Sequence, residues 1–266
     1  MGNLRELLRV KRGFVLDLDG TLYLGDELIP GAAEFVRGLR RAGKRVAFVS
    51  NKAVESRAEH SRKLVRFGIE CSEGEIINSS LVLARYLQRT RPGGRVFPIA
   101  EGPVVRDLES HGLVICEDPD AIDVVAISWD RGFNYRKIDI AYRAALRGAD
   151  LVATNPDRTC PMQGYRLPDA ACMIAAVEAC TQRSVDPIVG KPSRIMLREV
   201  LELLGLAAQD CIMVGDRPET DMLMARQAGL AGVLVLTGVT NAQQAAALPD
   251  SPTAVVDSVA DLLRAL

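Results

Sequence analysis

The sequence predicts an α/β fold, with a Rossmann-like core built on a parallel sheet and an α/β cap domain inserted into that core. Short runs of β-branched residues alternate with longer segments of helical periodicity, which is typical of parallel strands joined by helical crossovers. Similar strand and helix units lie near both ends of the chain, and a separate series lies between them. The 266 residues, 48% of them hydrophobic, suffice for one large domain or two modest ones.

The first strand–helix–strand unit is predicted near the N-terminus. The apolar run GFVLDLD at 13–19 is the first strand, and helical spacing of apolar residues over 31–42 predicts the helix that follows. Gly43 is a typical helix end, after which KRVAFVS at 44–50 forms the second strand.

A second unit is predicted near the C-terminus and completes the same sheet. It consists of a helix at about 192–204, a strand at 211–215, a helix that ends at Gly229 and a strand at 233–236. The middle of the chain has its own series: a strand at 124–128, a helix at 137–147, a strand at 149–155 and a helix at 169–182. We therefore predict a core formed by residues 1–79 and 188–266 and an inserted cap domain at 80–187.

The composition argues against several functional classes. The 33 basic and 34 acidic side chains nearly cancel, so no global field attracts nucleic acid or an acidic membrane surface. No window approaches the roughly 20 apolar residues of a membrane span, and the charged N-terminus does not resemble a signal peptide.

The six cysteines lack metal-binding spacing, so we expect reduced, mostly buried thiols in a cytoplasmic protein. His60 and His111 have no partner at catalytic spacing and are expected to be exposed.

Two carboxylates mark the end of the first predicted strand. Asp17 and Asp19 are two residues apart, so strand geometry would point both side chains to the same face. Gly20 and Thr21 end the strand there, at the edge where open parallel sheets bind their ligands. An Asp-Gly pair is also common in turns, but two carboxylates after an apolar strand repel each other unless a cation lies near them.

Other predicted strand and helix ends carry complementary groups. Ser50 and Asn51 end the second strand, and their hydroxyl and amide groups suit phosphate oxygens. Lys191 precedes a proline that suits the first turn of a helix, so its ammonium group is expected beside a helix N-terminus. Asp216 follows the apolar strand of the C-terminal unit, and Asp221 lies nearby in the sequence. Each residue alone has a structural explanation, such as a helix cap or a surface lysine, whereas the combination in chain order is specific.

These motifs resemble those of the haloacid dehalogenase (HAD) superfamily of phosphohydrolases. DLDGT at 17–21, Ser50, Lys191 and GDRPETD at 215–221 match the four motifs of that family in order. About 30 residues separate the first motif from Ser50, whereas about 140 separate Ser50 from Lys191, so a cap fits only between the second and third motifs. This arrangement resembles the type IIA branch with a C2 cap, which includes NagD-like and p-nitrophenyl phosphatases. VATNPD at 152–157 is similar to the cap segment of that branch.

The resemblance implies a magnesium-dependent phosphatase that forms an aspartyl-phosphate on Asp17. Asp19 is then the general acid that protonates the leaving oxygen and later the base that activates water. Mg²⁺ would be held by Asp17, Asp216 and the backbone carbonyl of Asp19. Asp221 could bind the metal directly, orient a metal-bound water or cap the following helix, and we favour contact through the water. The phosphate oxygens would be bound by Ser50, Asn51 and Lys191.

The resemblance also implies a small phosphorylated metabolite as the substrate. Members of the branch act on sugar phosphates, glycerol phosphate, phosphoglycolate, nucleotides or p-nitrophenyl phosphate. In the cap, Asn155, Asp157 and Arg158 are candidates for recognising the leaving group, although a simple proline-containing turn explains them equally well. Lys52 and Trp129 depart from the usual pattern of the family. Relatives often dimerise through the cap, so a homodimer is one assembly that the resemblance implies.

Three alternatives are open at this point. A phosphomutase would share the aspartyl-phosphate, although known mutases of the superfamily usually carry their cap between the first two motifs. A signalling receiver domain also surrounds a phosphorylated aspartate with acids, a hydroxyl and a lysine, but it is shorter and has no cap. A catalytically silent protein that binds a phosphorylated ligand would have the same fold, yet every chemical position is intact here.

Overall fold

The computed structural model describes residues 2–162 and 164–266. In chain order its strands are β1 (Gly13–Asp17), β2 (Tyr23–Leu24), β3 (Glu27–Leu28), β4 (Arg45–Ser50), β5 (Ile76–Asn78), β6 (Arg95–Ile99), β7 (Val114–Ile115), β8 (Val124–Ile127), β9 (Asp150–Ala153), β10 (Thr159–Met162), β11 (Tyr165–Pro168), β12 (Cys211–Gly215), β13 (Ala231–Val235) and β14 (Ala254–Val256). The α-helices are α1 (Gly2–Val10), α2 (Ala32–Arg41), α3 (Arg57–Arg66), α4 (Ser79–Thr90), α5 (Gly102–Ser110), α6 (Tyr135–Leu146), α7 (Ala170–Thr181), α8 (Arg194–Leu204), α9 (Leu223–Ala228), α10 (Ala242–Ala246) and α11 (Val259–Ala265). Every strand and helix predicted above is present, with ends that differ by no more than two residues.

The core is a six-stranded parallel sheet with the strand order β14-β13-β12-β1-β4-β5. Helices cover both of its faces, as the side chains of β1 show. Phe14 and Leu16 belong to a hydrophobic cluster with α2 and α11, whereas Val15 belongs to a second cluster with α8. A strand that is buried on both faces is typical of parallel sheets in α/β proteins. The predicted fold class is confirmed.

The first strand ends at Asp17, earlier than predicted. The residues after it fold into a tight turn, in which the N–H of Leu22 donates to the carbonyl of Leu18 at 2.9 Å. Gly20 permits this turn because its φ of +87° is a left-handed conformation that other residues avoid. Asp19 therefore lies in the turn rather than on the strand, and its side chain is positioned by contacts other than strand alternation.

A second parallel sheet, with the order β7-β6-β8-β9, lies within the predicted cap segment. Helices α6 and α7 pack around a separate hydrophobic cluster that includes Val125, Ile140 and Ile174. The antiparallel hairpin β10-β11 follows this sheet in the chain. Helix α4 shares one hydrophobic cluster with both α5 and α8, so the domain boundaries at 79/80 and 187/188 stay a prediction.

The structure corrects two expectations about exposure. His60 is fully buried on α3 rather than exposed, and burial lowers its pKa, so the ring is neutral at pH 7. His111 is half-buried, with Nδ1 2.7 Å from the carbonyl oxygen of Asp107. All six cysteines are free, but Cys172 and Cys180 on α7 are exposed rather than buried. Among the described residues, no helix is both long enough and apolar enough to cross a bilayer.

Candidate active site

Three buried aspartates converge at the carboxyl end of the core sheet. Asp17 is the last residue of β1, and Asp216 follows β12, the parallel neighbour of β1. Asp221 reaches the same place from the π-helical turn Pro218–Met222, where its Oδ2 accepts a hydrogen bond from the Arg217 N–H at 3.1 Å. One oxygen from each of the three carboxylates lies within 4.8 Å of the other two.

This aspartate cluster fits a hard divalent cation. Its donors are carboxylate oxygens, the ligands that Mg²⁺ prefers in proteins. Asp216 is fully buried, and its Oδ1 has no hydrogen-bond partner among the described residues, an unfavourable state for a carboxylate unless a cation completes the site. Burial and the nearby charges of Asp17 and Asp221 raise the pKa of Asp216 well above its usual value. The cluster found among the described residues does not include the Asp19 carboxylate, so a role for the backbone carbonyl of Asp19 stays a prediction.

Two glycines allow the backbone to approach Asp216 closely. A Cβ on Gly238 would lie 2.0 Å from Asp216 Oδ2, and a Cβ on Gly20 would lie 2.6 Å from the same oxygen. The N–H of Val239 donates to that oxygen at 2.6 Å. The loops around Asp216 therefore hold Oδ2 in place and leave Oδ1 as the oxygen that lacks a partner.

Lys191 lies between Asp17 and Asp221. Its Nζ donates a short hydrogen bond to Asp17 Oδ1 and lies 2.8 Å from Asp221 Oδ1. Burial alone would lower the pKa of Lys191, but the two carboxylates outweigh it and raise the pKa. For Asp17 the balance is reversed, because burial outweighs the attraction of Lys191 and raises the pKa to about 6. At pH 7, Asp17 is therefore mostly a carboxylate and Lys191 is a cation.

Ser50 and Asn51 end β4 beside the aspartate cluster, and both are buried. The side-chain amide of Asn51 binds the backbone of Lys191: Oδ1 accepts from the Lys191 N–H at 2.8 Å, and Nδ2 donates to the Lys191 carbonyl at 3.1 Å. The amide that was predicted to bind phosphate therefore holds Lys191 in place. Ser50 Oγ accepts from the Lys52 N–H at 3.1 Å, which still allows its O–H to donate to a phosphate oxygen.

Two side chains hold Asp19 at the same edge of the sheet. Tyr23 OH donates to Asp19 Oδ2 at 3.2 Å, and Lys52 Nζ lies 3.5 Å from Asp19 Oδ1. Lys52 Nζ also lies 2.6 Å from Glu55 Oε1. Burial would lower the pKa of Lys52, but Asp19 and Glu55 outweigh it, so the lysine stays charged.

Two of the three predicted cap residues lie against the core at this site. Asn155 is fully buried and its Nδ2 donates to the carbonyl of Asn51 at 2.8 Å. Asp157 is buried, with Oδ1 3.9 Å from Nη1 of Arg217. The Arg158 side chain is exposed and lines a larger, separate cavity. The structure thus brings Asn155 and Asp157 to the site and leaves Arg158 outside it.

A cavity of about 30 Å³ lies among these core and cap residues. It is also lined by residues that were not predicted to belong to the site: Lys52, Cys160, Pro161, Asp169 and Arg217. Arg217 lies inside the GDRPETD motif, so the sequence did carry a signal for it, and its Nη2 donates to the Thr159 carbonyl at 2.7 Å. Asp169 gave no signal beyond that of a helix cap. Burial and the charge of Asp157 raise the pKa of Asp169 to about 7.

Two family models match the chain, the first from the predicted core into the predicted cap and the second within the predicted core. A model described as a haloacid dehalogenase-like hydrolase matches residues 14–114, and a HAD-hydrolase-like model matches residues 188–262. The chain is also 36% identical over 252 residues to the sugar-phosphatase AraL of Bacillus subtilis strain 168. That alignment covers 95% of this chain and 92% of AraL.

Solved structures show the same relationship. The p-nitrophenyl phosphatase from Archaeoglobus fulgidus matches with a TM-score of 0.90 and 35% identity, over 96% of this chain and 99% of that protein. NagD from Escherichia coli K-12 matches with a TM-score of 0.86 and 26% identity, over 95% of this chain and 98% of NagD. Hydrolases of this family generally use a divalent metal, in agreement with the buried aspartate cluster. The chain is therefore an enzyme of the haloacid dehalogenase-like hydrolase family, in the NagD-like type IIA branch of phosphatases.

Proposed function

We propose that this enzyme is a magnesium-dependent phosphatase that hydrolyses a small phosphate ester through an aspartyl-phosphate on Asp17. The observation that carries the proposal is the meeting of Asp17, Lys191 and the carboxylates of Asp216 and Asp221 in one buried site. A phosphate ester resists attack by a carboxylate because both are negative, so the site must offset that repulsion. Lys191 supplies one positive charge, and the aspartate cluster suits a cation that supplies more.

The residues that would hold Mg²⁺ are Asp17, Asp216 and the backbone carbonyl of Asp19, with Asp221 as a further carboxylate within reach. The unpartnered Oδ1 of Asp216 supports this assignment. When bound, the cation offsets the negative charge of the phosphate oxygens. The closeness of Asp221 to the other two carboxylates favours a direct ligand role over one through water.

The chain's own residues then carry out two steps. Lys191 and Ser50 bind phosphate oxygens, with Lys191 fixed by the Asn51 side chain. The Asp17 carboxylate attacks phosphorus, and the leaving oxygen takes a proton from Asp19. Asp19 next takes a proton from water, which attacks the aspartyl-phosphate, releases inorganic phosphate and regenerates Asp17.

The substrate is proposed to be a small metabolite, because the chain's relatives include a sugar-phosphatase and a p-nitrophenyl phosphatase. Residues 80–187 form the proposed cap, and Asn155 and Asp157 of this segment are the candidates for contact with the leaving group. Arg158 is a weaker candidate because its side chain lies outside the site. The expected location is the cytoplasm, and assembly as a homodimer stays a prediction.

Release of inorganic phosphate from p-nitrophenyl phosphate tests the proposal. With Mg²⁺ we expect continuous turnover, which EDTA abolishes and renewed Mg²⁺ restores. Asp17→Asn removes the nucleophile and should lower kcat by roughly 10³-fold or more. Asp257→Asn is the matched control, because Asp257 is an exposed carboxylate after β14, the edge strand that β13 separates from β12.

Different outcomes separate the alternatives. A phosphomutase would rearrange a sugar phosphate without continuous release of phosphate, and a silent binding protein would release none. A wild-type protein that is inactive on a broad panel of phosphate esters, or an Asp17→Asn variant with full activity, would contradict the proposed mechanism. Membership of the HAD-like family already excludes the receiver domain.

A further inference from the structure

The carboxylate of Asp19 belongs to a closed ring of five polar side chains. Tyr23 OH lies 3.2 Å from Asp19 Oδ2 and 3.5 Å from Nδ1 of His60. That nitrogen lies 3.4 Å from Glu55 Oε2. Glu55 Oε1 lies 2.6 Å from Lys52 Nζ, which lies 3.5 Å from Asp19 Oδ1 and so closes the ring.

The ring is mostly shielded from solvent, with Glu55 as its most exposed member at 26%, and it borders the active-site cavity. The side chains of Lys52 and Asp19 are 10% and 11% exposed, and that of His60 is fully buried. Nε2 of His60 also lies 3.4 Å from the carbonyl oxygen of Lys52, so His60 contacts the backbone that carries the lysine. Both Lys52 and Asp19 line the cavity that Asp17 also lines.

We propose that Lys52 is a positioning residue for Asp19, and that Glu55 and His60 hold Lys52 in the place where it can do so. The inference rests on the proposed function, in which Asp19 gives a proton to the leaving oxygen. Asp19 lies in the turn after β1, so the sheet does not fix its side chain. Tyr23 contacts one carboxylate oxygen and Lys52 contacts the other, which together restrict rotation of the carboxylate.

A comparison of two similar esters separates this role from phosphate binding. p-Nitrophenol leaves readily without a proton, whereas phenol, with a pKa of about 10 like tyrosine, depends more on a general acid. In Lys52→Met, kcat/KM should fall for both esters because a cation near the phosphate is lost. It should fall about tenfold further for phenyl phosphate than for p-nitrophenyl phosphate, within the roughly 10²–10⁴-fold that general acid catalysis contributes.

Three further variants complete the test. Lys52→Arg keeps the charge, so it should recover most of the kcat/KM for phenyl phosphate that Lys52→Met loses beyond the loss for p-nitrophenyl phosphate. Tyr23→Phe removes only the hydroxyl that contacts Asp19. It should lower kcat/KM more for phenyl phosphate than for p-nitrophenyl phosphate, and it tests the positioning of Asp19 even if Lys52→Met fails to fold. Lys137→Met is the control, because it removes the ion pair with the buried Asp130 in the cap and should leave the ratio of the two esters unchanged.

The outcomes are distinguishable. Equal losses for both esters in Lys52→Met and Tyr23→Phe would overturn the positioning role while leaving the phosphatase intact. The proposal is also wrong if Lys52→Arg restores nothing, or if Lys137→Met shifts the ratio as much as Lys52→Met. A wild-type protein that hydrolyses neither ester would overturn the proposed function, and this inference with it.

Discussion

At the scale of single residues, Asp216 shows most directly why the buried aspartate cluster suits a cation. It is fully buried, one of its oxygens lacks a partner, and two other carboxylates lie close to it. Because its pKa is raised in the folded protein, the folded state holds this proton more tightly than the unfolded chain does. In the metal-free protein, the contribution of the Asp216 carboxyl to the free energy of unfolding therefore falls as the pH rises. The charge needed for binding a cation is thus destabilising until the cation is present.

We predict that Asp216→Asn raises the thermal stability of the metal-free protein at pH 7.5. Removal of the buried charge should increase Tm by a few degrees, since about 1 kcal/mol shifts Tm by roughly 2–4 °C in chains of about this size. Addition of Mg²⁺ should raise Tm of the wild type but not of the variant, because only the wild type keeps the full set of ligands. Thermal unfolding in EDTA and in excess Mg²⁺ measures both effects.

The control for this substitution is Asp257→Asn, which changes an exposed carboxylate. It should leave both the metal-free Tm and the response to Mg²⁺ unchanged. If Mg²⁺ stabilises Asp216→Asn as strongly as the wild type, Asp216 is not a metal ligand.

At the scale of single elements, α7 begins with a cap that faces the active-site cavity. Oδ1 of Asp169 accepts a hydrogen bond from the Ala170 N–H at 2.6 Å, and the carboxylate lines the same cavity as Asp157. Burial and the charge of Asp157 raise the pKa of Asp169 to about 7, whereas an aspartate in an unfolded chain titrates near 3.9. Between these values the folded protein binds a proton that the unfolded chain has lost. Its contribution to stability therefore falls as the pH rises from about 4 to about 7.

Asp169→Asn should remove this pH dependence while keeping a good helix cap. We predict that the difference in Tm, variant minus wild type, increases between pH 4.5 and pH 7 and is constant at higher pH. Thermal unfolding in EDTA across this range measures it. Asp139→Asn, which changes an exposed carboxylate on α6, should show no such trend. A difference that is flat or that decreases with pH would mean that the Asp169 carboxyl is not protonated in the folded protein.

The elements also show what the sequence could predict. Strand ends were predictable because hydrophobic runs, glycines and acidic residues coincide there, and parallel neighbours bring Asp17 and Asp216 together. The sequence favoured contact of Asp221 with a metal-bound water, because the closeness of its carboxylate to Asp17 and Asp216 depends on the π-helical turn at Pro218–Met222, which no sequence pattern indicated. The burial of His60 was missed because its partner Tyr23 lies in a distant hairpin. Periodicity predicts local elements, whereas polar networks between elements depend on their packing.

At the scale of the whole molecule, core and cap enclose a site too small for a substrate. Its cavity of about 30 Å³ has room for roughly two water molecules, since one water needs about 10–15 Å³. Polar contacts join the two parts around the cavity: Asn155 Nδ2 to the Asn51 carbonyl at 2.8 Å, and Arg217 Nη2 to the Thr159 carbonyl at 2.7 Å. We therefore expect that the cap moves away from the core to admit a phosphate ester and that its closure excludes water from the transfer step.

We therefore predict that a transition-state mimic slows hydrogen exchange in a cap segment and a core segment that contact each other beside the site. With Mg²⁺ and orthovanadate together, amides in the hairpin strands at 159–162 and 165–168 and in the core loop at 237–241 should exchange more slowly than in the free protein. Arg166 of the hairpin, whose Nη2 lies 3.4 Å from the Val239 carbonyl oxygen, directly links these two segments. Mass spectrometry after timed exchange measures the effect, and helix α6, which packs on α7 and lines no part of this cavity, should be unaffected. Mg²⁺ alone and orthovanadate alone serve as controls and should produce smaller changes. If exchange slows at the ends of β1 and β12 but not in the hairpin, the ligand binds the core without closure of the cap.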